Sequence, residues 1–474
     1  MKNNGQDLLA AGNLILEKLA NYVDQSQSGQ GPVLTQKPLQ QLTDELDLYH
    51  LVRDGGLELQ HLDGFIDSYL RNSVHLQHPG NIGHQVSVPH VAAGLADMIH
   101  GVTNNPMAIY EMGPIGASME YIVLQWMLEK VGWPMGPEGG AGVLTHGGSL
   151  ANLTALLGAR AAIAQEAWEE GTPNDLVVLA PECAHYSIAR AISIVGLGSQ
   201  AILPVATNEN EVLLPDALTI AYRKAKDNGK RVMAVVANAC ATSTGLYDPL
   251  DETGDFCQEE GLWLHVDSPH GATALLSEEK KYLLNGIDKA NSMIWDAHKM
   301  MRTTTLCTAV LFRDQKAFSQ VFQQKASYLF HHKEEPGIDF IPYALECTKA
   351  GLGLKLFMVL ATLGEAGLGA YVDELYNKTH KFYQIVSART DFSCLCPPES
   401  NILCFRYRDE ANDFQLQMRN QLVKEEQYYI TSAEVKGVRY LRLTIMNPLT
   451  EASHIDGLLD ALERIATNIT AQVN

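Results

Sequence analysis

Hydrophobic positions along this chain switch between two periods. Residues 7–24 place Leu8, Leu9, Leu14, Ile15, Leu16, Leu19 and Tyr22 mostly three or four apart, the spacing of an amphipathic helix with one apolar stripe. The polar, glycine-bearing stretch 25–32 then reads as a linker. From Ala141 onward, short apolar runs alternate with helical periods. The pattern predicts helices over 150–168, 186–195 and 215–228, and strands over 176–179, 201–203, 231–236 and 308–312, with two more ending at Asp267 and Trp295. Strands that alternate with helices imply a mostly parallel, covered sheet. Helical periodicity over 350–380, 411–424 and 451–469, with strands near 402–405 and 440–445, implies a smaller α+β unit. The expected class is therefore α/β, divided into an N-terminal helical segment (1–80), a large sheet domain (81–349) and a small C-terminal α+β domain (350–474).

Composition narrows the class. With 474 residues, 46% hydrophobic and 19% charged, the chain can bury a sizeable core and is not disordered. A net charge of −20 disfavours nucleic acid as a partner. No run approaches the roughly twenty apolar residues of a membrane span, and the N-terminus lacks a leader pattern, so the expectation is a cytoplasmic protein with no membrane partner. Eight cysteines without regular spacing fit reduced thiols. Cys394, Cys396 and Cys404 have no matching second ligand pair, and no metal site is expected.

Three stretches carry candidate chemistry. Residues 291–301, Asn-Ser-Met-Ile-Trp-Asp-Ala-His-Lys-Met-Met, place Lys299 just past a buried apolar run. There the backbone leaves the core and an amine can be held partly desolvated in a cleft, as a Schiff-base lysine requires. By itself such a lysine is usually a solvated loop residue. Upstream, residues 262–267 form an apolar run that closes on Asp267, at the strand end where open α/β sheets bind ligands. Further back, Gly147, Gly148 and Ser149 open a long helical pattern, and a helix start of small residues favours an anion. Phosphate cradle, strand-end carboxylate and post-strand lysine together describe a site for pyridoxal 5′-phosphate.

These residues resemble a known family. Asp296-Ala297-His298-Lys299-Met300-Met301 is similar to the lysine motif of the group II pyridoxal-phosphate decarboxylases, and His265-Val266-Asp267 to their pyridine-binding motif. The likeness runs from about His78-Pro79 to Asn447-Pro448. It implies a fold type I, aspartate aminotransferase-like large domain in a homodimer with shared sites, the N-terminal helix clasping the partner. It implies that Lys299 carries the cofactor, Asp267 pairs with its ring nitrogen, His185 stacks on the ring and helps protonation, and Thr242 lies beside it. Gly148, Ser149, His298 and Pro269 complete the cofactor's surroundings. Gln85 and Arg442 are expected to bind substrate, and Tyr328, in a catalytic loop, to protonate the substrate carbon after carbon dioxide leaves.

Tyr110-Glu111-Met112-Gly113-Pro114 and Met119-Glu120-Tyr121 resemble the glutamate and cysteine sulfinate branch, so the expected substrate is a small acidic amino acid: glutamate, aspartate or cysteine sulfinate. Two alternatives stand beside it: decarboxylation of 2,4-diaminobutyrate or an aromatic amino acid, and a catalytically silent regulatory relative. Several positions depart from the family pattern. Ser268-Pro269-His270 stands where relatives carry small residues and then an aromatic, Lys349 where many carry arginine, and Ala297 where proline is common. Arg442 alternates with apolar residues, which predicts that it points away from the core face.

Overall fold

The computed structural model describes residues 4–136, 138–322 and 337–473. Seven strands form the central sheet: β1 (Ala141–Thr145), β2 (Leu176–Pro181), β3 (Ile202–Val205), β4 (Arg231–Asn238), β5 (Leu264–Asp267), β6 (Ser292–Asp296) and β7 (Thr308–Phe312). Their order is β1-β7-β6-β5-β4-β2-β3. Only β7 runs against its neighbours, pairing antiparallel with β1 and β6; the other pairs are parallel. Apart from the edge strand β3 and the first residue of β4, the strands are buried throughout. Burial on both faces is why each reads as an unbroken apolar run.

The parallel strands point their carboxyl ends to one edge, where the chain emerges at Asn238, Asp267 and Asp296. The turn between β1 and helix Gly148–Ile163 lies on that edge too, because β1 also opposes β7. This edge is the crevice in which ligands of open α/β sheets sit.

Four further strands make a second sheet, β8 (Phe392–Cys394), β9 (Ile402–Tyr407), β10 (Thr431–Val435) and β11 (Val438–Thr444), all antiparallel in the order β10-β11-β9-β8. The segment 80–83 lies on this sheet: Ile82 N–H donates to the Tyr429 carbonyl at 3.1 Å and Thr444 N–H to the Ile82 carbonyl at 2.8 Å.

Helix Gly353–Ala388 has the length and composition of a membrane span. It nevertheless packs on helices Val91–Thr103, Pro114–Val131 and Ala452–Val473, and it is interrupted at Gly364, whose φ of 64° and ψ of 177° suit glycine.

At the other end of the chain, helix Gly5–Gln27 is capped by Asn4, whose side chain accepts from the Gln6 and Asp7 amides. Lys18 ties it to Asp63 and Asp67 of helix Leu59–Arg71. Leu8, Leu16 and Leu19 remain exposed beside Val91, Leu95, Met98 and Val102 of helix Val91–Thr103, and together they line an apolar groove of about 790 Å³.

Candidate cofactor and substrate site

Asp267 ends β5 only 3% exposed, and its Oδ1 has no hydrogen-bond partner among the described residues. Burial lifts its carboxyl to about 6, against the pull of Asn152 and Lys299; Asp296 adds a smaller upward push. A buried carboxylate oxygen without a donor costs free energy until something cationic or protonated meets it. A protonated pyridine nitrogen is such a group. On this observation the residues present fit pyridoxal 5′-phosphate.

Lys299 is half-buried on the turn that leaves β6, its amide donating to the Asp296 carbonyl at 3.3 Å and its Nζ lying 3.4 Å from Asp296 Oδ2. Asp296 is itself buried and accepts a 2.5 Å bond from Thr308 Oγ1. His298 is turned toward the protein: Nδ1 faces the Cys307 backbone and Nε2 lies 3.4 Å from Asp296. It braces the lysine turn.

The helix that opens at Gly148 starts against this carboxylate. Gly147 caps it at φ 104°, a conformation open to glycine and strained for other residues. A Cβ on Gly148 would sit 3.5 Å from Asp296 Oδ1. The helix start leaves first-turn N–H groups of Gly148 and Ser149 without an intrahelical acceptor, as an anion site requires.

His185 caps helix Tyr186–Ile194, and a run of hydrogen bonds fixes its proton. Trp263 Nε1 donates to Ser292 Oγ at 2.9 Å, and Ser292 meets His265 Nδ1 at 2.9 Å. His265 Nε2 reaches Asn152 Oδ1 at 2.9 Å, Asn152 Nδ2 donates to Ser187 Oγ at 2.9 Å, and Ser187 meets His185 Nδ1 at 2.7 Å. Donors and acceptors balance along this line when His185 Nδ1 accepts and Nε2 carries the proton. Burial and the Lys299 charge push His185 down to about 4, so the ring is neutral. No sequence motif had singled out Asn152, Ser187 or Ser292; apart from the Ser187–His185 contact, their partners lie 27 to 113 residues away.

Pro269 is half-buried between the ends of β5 and β6, where its carbonyl accepts from the Asp296 amide at 3.0 Å. Thr242 is exposed in the turn after β4, next to Ser243. Tyr328 lies outside the described residues.

Arg442 lies on the face of β11 opposite the fully buried Leu441 and Leu443, as strand alternation predicts, but it is not solvated there, being only 5% exposed. Its face of β11 is covered by Gly83 and by the Ser243 turn, whose carbonyls both meet the guanidinium. Among the described residues the guanidinium meets only neutral oxygens: Nη1 donates to Thr444 Oγ1 at 2.9 Å and to Thr431 Oγ1 and the Gly83 carbonyl at 3.4 Å, and Nε donates to the Ser243 carbonyl at 3.3 Å. Nη2 has no partner among these residues, and burial lowers the arginine's pKa. Gln85, two residues beyond Gly83, likewise carries a buried Nε2 without a partner among the described residues.

Lys349 finds a full partner in Glu120 at 2.6 Å, both buried, while Glu120 Oε1 accepts from the Leu144 amide at 3.0 Å. The pair pins helix Pro114–Val131 to β1.

The conserved domain of the pyridoxal-dependent decarboxylases matches residues 48–408. The mouse (Mus musculus) acidic amino acid decarboxylase GADL1 is 27% identical over 454 residues, covering 91% of this chain and 81% of that one. The L-2,4-diaminobutyrate decarboxylase of Acinetobacter baumannii is 28% identical over 423 residues, covering 84% and 82%. In fold, the crystal structure of mouse CSAD superposes with a TM-score of 0.91 at 24% identity, covering 98% of this chain and 99% of that one.

Proposed function

Since this chain belongs to the pyridoxal-dependent decarboxylase family, its cofactor being pyridoxal 5′-phosphate, we propose that it removes the α-carboxylate of a small acidic L-amino acid, giving the amine and carbon dioxide. The observation that carries the substrate reading is Arg442. A buried guanidinium with neutral partners and a free Nη2 is an uncompensated charge, and a carboxylate is its natural bidentate partner. The free Nε2 of Gln85 adds a second donor for an acidic group. Acidic amino acids are also what GADL1 is named for.

When bound, the cofactor supplies the electron sink that absorbs the pair left as the bond from Cα to the carboxylate breaks. Lys299 would hold it covalently and release it to the substrate amine. Asp267 would keep its ring nitrogen protonated. Gly148 and Ser149 would receive its phosphate, and His185, Thr242 and Pro269 would flank its ring while His298 braces the lysine turn. Arg442 and Gln85 would orient the substrate, because the bond that breaks is the one held perpendicular to the ring plane. Tyr328 would return a proton to Cα.

The apolar groove between helices Gly5–Gln27 and Val91–Thr103 supports a homodimer in which the N-terminal segment, 1–80, clasps the partner around sites built from 81–349 and 350–474. Eight free cysteines support a reducing, cytoplasmic setting.

The test is carbon dioxide release from glutamate, aspartate, cysteine sulfinate, 2,4-diaminobutyrate, tyrosine and tryptophan. One acidic substrate is expected to exceed the cationic and aromatic ones in kcat/KM by at least about tenfold, a difference of about 1.4 kcal/mol in transition-state binding. A higher value for diaminobutyrate or an aromatic would overturn the substrate reading, and no release from any would favour the silent relative.

A further inference from the structure

His270 is 1% exposed, three residues beyond Asp267 and outside the machinery described so far. Its Nε2 lies 2.6 Å from Asn401 Oδ1. Asn401 is fully buried, and its own amide nitrogen is committed elsewhere, to the Ile445 carbonyl at 2.9 Å and to the sulfurs of Met300 and Met446 at 3.3 Å each. That commitment fixes the amide's orientation, so Oδ1 must accept and His270 Nε2 must donate. The Ile445 amide returns a bond to the Asn401 carbonyl at 2.8 Å. His270 Nδ1 is left as a buried lone pair without a donor among the described residues.

The positions of these partners give the bond its meaning. His270 sits on the loop that carries Asp267 and Pro269. Met300 follows Lys299 directly. Asn401 directly precedes β9, and Ile445 follows β11 three residues after Arg442. Asn401 therefore joins three elements: the loop after Asp267 through His270, the lysine turn through its amide contact with Met300, and the end of the strand that carries Arg442 through Ile445. An apolar core could pack these elements together, but only a directional bond fixes their register against sliding.

We propose that His270 is a positioning residue: its Nε2–H bond to Asn401 holds the amide that links the Lys299 turn to the end of the Arg442 strand, and so decides which bond at the substrate Cα is presented for cleavage. The proposal rests on the reading of Arg442 as the carboxylate anchor.

The test compares His270→Leu, which removes the donor, with His270→Gln, which keeps an N–H at similar reach, and with Asn401→Ala and the His270→Leu/Asn401→Ala double variant. Each is measured as holoenzyme for KM, kcat and the ratio of amine to transamination product. The circular dichroism of the bound chromophore and the thermal midpoint of the cofactor-free protein are recorded as well. His270→Leu is expected to raise KM about tenfold, to increase abortive transamination several-fold and to weaken the dichroic band. His270→Gln returns all three to within about threefold of wild type, and the double variant is no worse than His270→Leu because both remove one interaction.

If leucine performs as well as glutamine, the side chain only fills space and the proposal falls. It also falls if the two single losses multiply in the double variant. His270→Phe, closer in shape, replaces leucine in the comparison should that variant not fold. Arg442→Met separates the two readings. If it leaves KM unchanged, the anchor reading fails and the positioning role fails with it. If it raises KM while His270→Leu does not, only the positioning role is lost.

Discussion

Asp267 gives the sharpest quantitative expectation, because its carboxylate is buried with an oxygen that none of the described residues satisfies. In the cofactor-free protein its pKa stands at about 6, against an ordinary 3.8. A raised carboxyl favours the folded state fully only below pH 3.8, where it is neutral folded and unfolded alike, and that contribution drains away as pH rises through 6. At about 1.36 kcal/mol per pKa unit, the loss totals about 3 kcal/mol. Between pH 5 and 8 the share lost is about 1.4 kcal/mol, since part of the cost is already incurred at pH 5.

Asp267→Asn is neutral throughout and carries none of it. Urea unfolding of the cofactor-free proteins at pH 5 and 8 should therefore show the variant gaining about 1.4 kcal/mol on wild type across that interval, other groups cancelling in the difference. Pyridoxal 5′-phosphate should remove the deficit from wild type by meeting the carboxylate, while the variant binds it weakly and does not turn over. A stability difference that is flat with pH would refute the claim that Asp267 is an unmet buried charge awaiting a partner.

Two other expectations concern the rest of the site and the assembly. Tyr328→Phe should shift products from amine toward the aldehyde of abortive transamination, read by product chromatography, because proton return to Cα slows; an unchanged ratio would remove the tyrosine from that role. Leu95→Glu, placed in the apolar groove, should convert the proposed dimer to a monomer in sedimentation and lower activity with it, whereas an unaltered mass would take the interface elsewhere.

Much of the fold was legible because its sheet is buried on both faces. Strands β2, β4, β5, β6 and β7 each read as an apolar run and lie within a few residues of where the pattern put them. β10 was not legible: Thr-Ser-Ala-Glu-Val at a sheet edge is only partly buried and carries no apolar alternation. The break at Gly364 also passed unseen, since the helical period continues through it.

The site divides along the same line. Asp267 and Lys299 announce themselves because each is local, a polar residue closing an apolar strand. The surroundings of Arg442 do not, because the covering segment 80–83 and the Ser243 turn lie about 200 to 360 residues away in sequence. Strand alternation alone therefore pointed the arginine outward. His270 could be seen as a departure from the family pattern, but Asn401, 131 residues on, gives no local sign of being its partner.

The proposed decarboxylation stands on Lys299 as the residue that carries the cofactor. Reduction of the yellow holoprotein with borohydride, followed by proteolysis and mass spectrometry, is the decisive measurement. A pyridoxyl-phosphate mass is expected on the peptide containing Lys299, with no visible band or carbon dioxide release in Lys299→Ala. The modification on another lysine, or near-normal turnover in the variant, would remove Lys299 from that role.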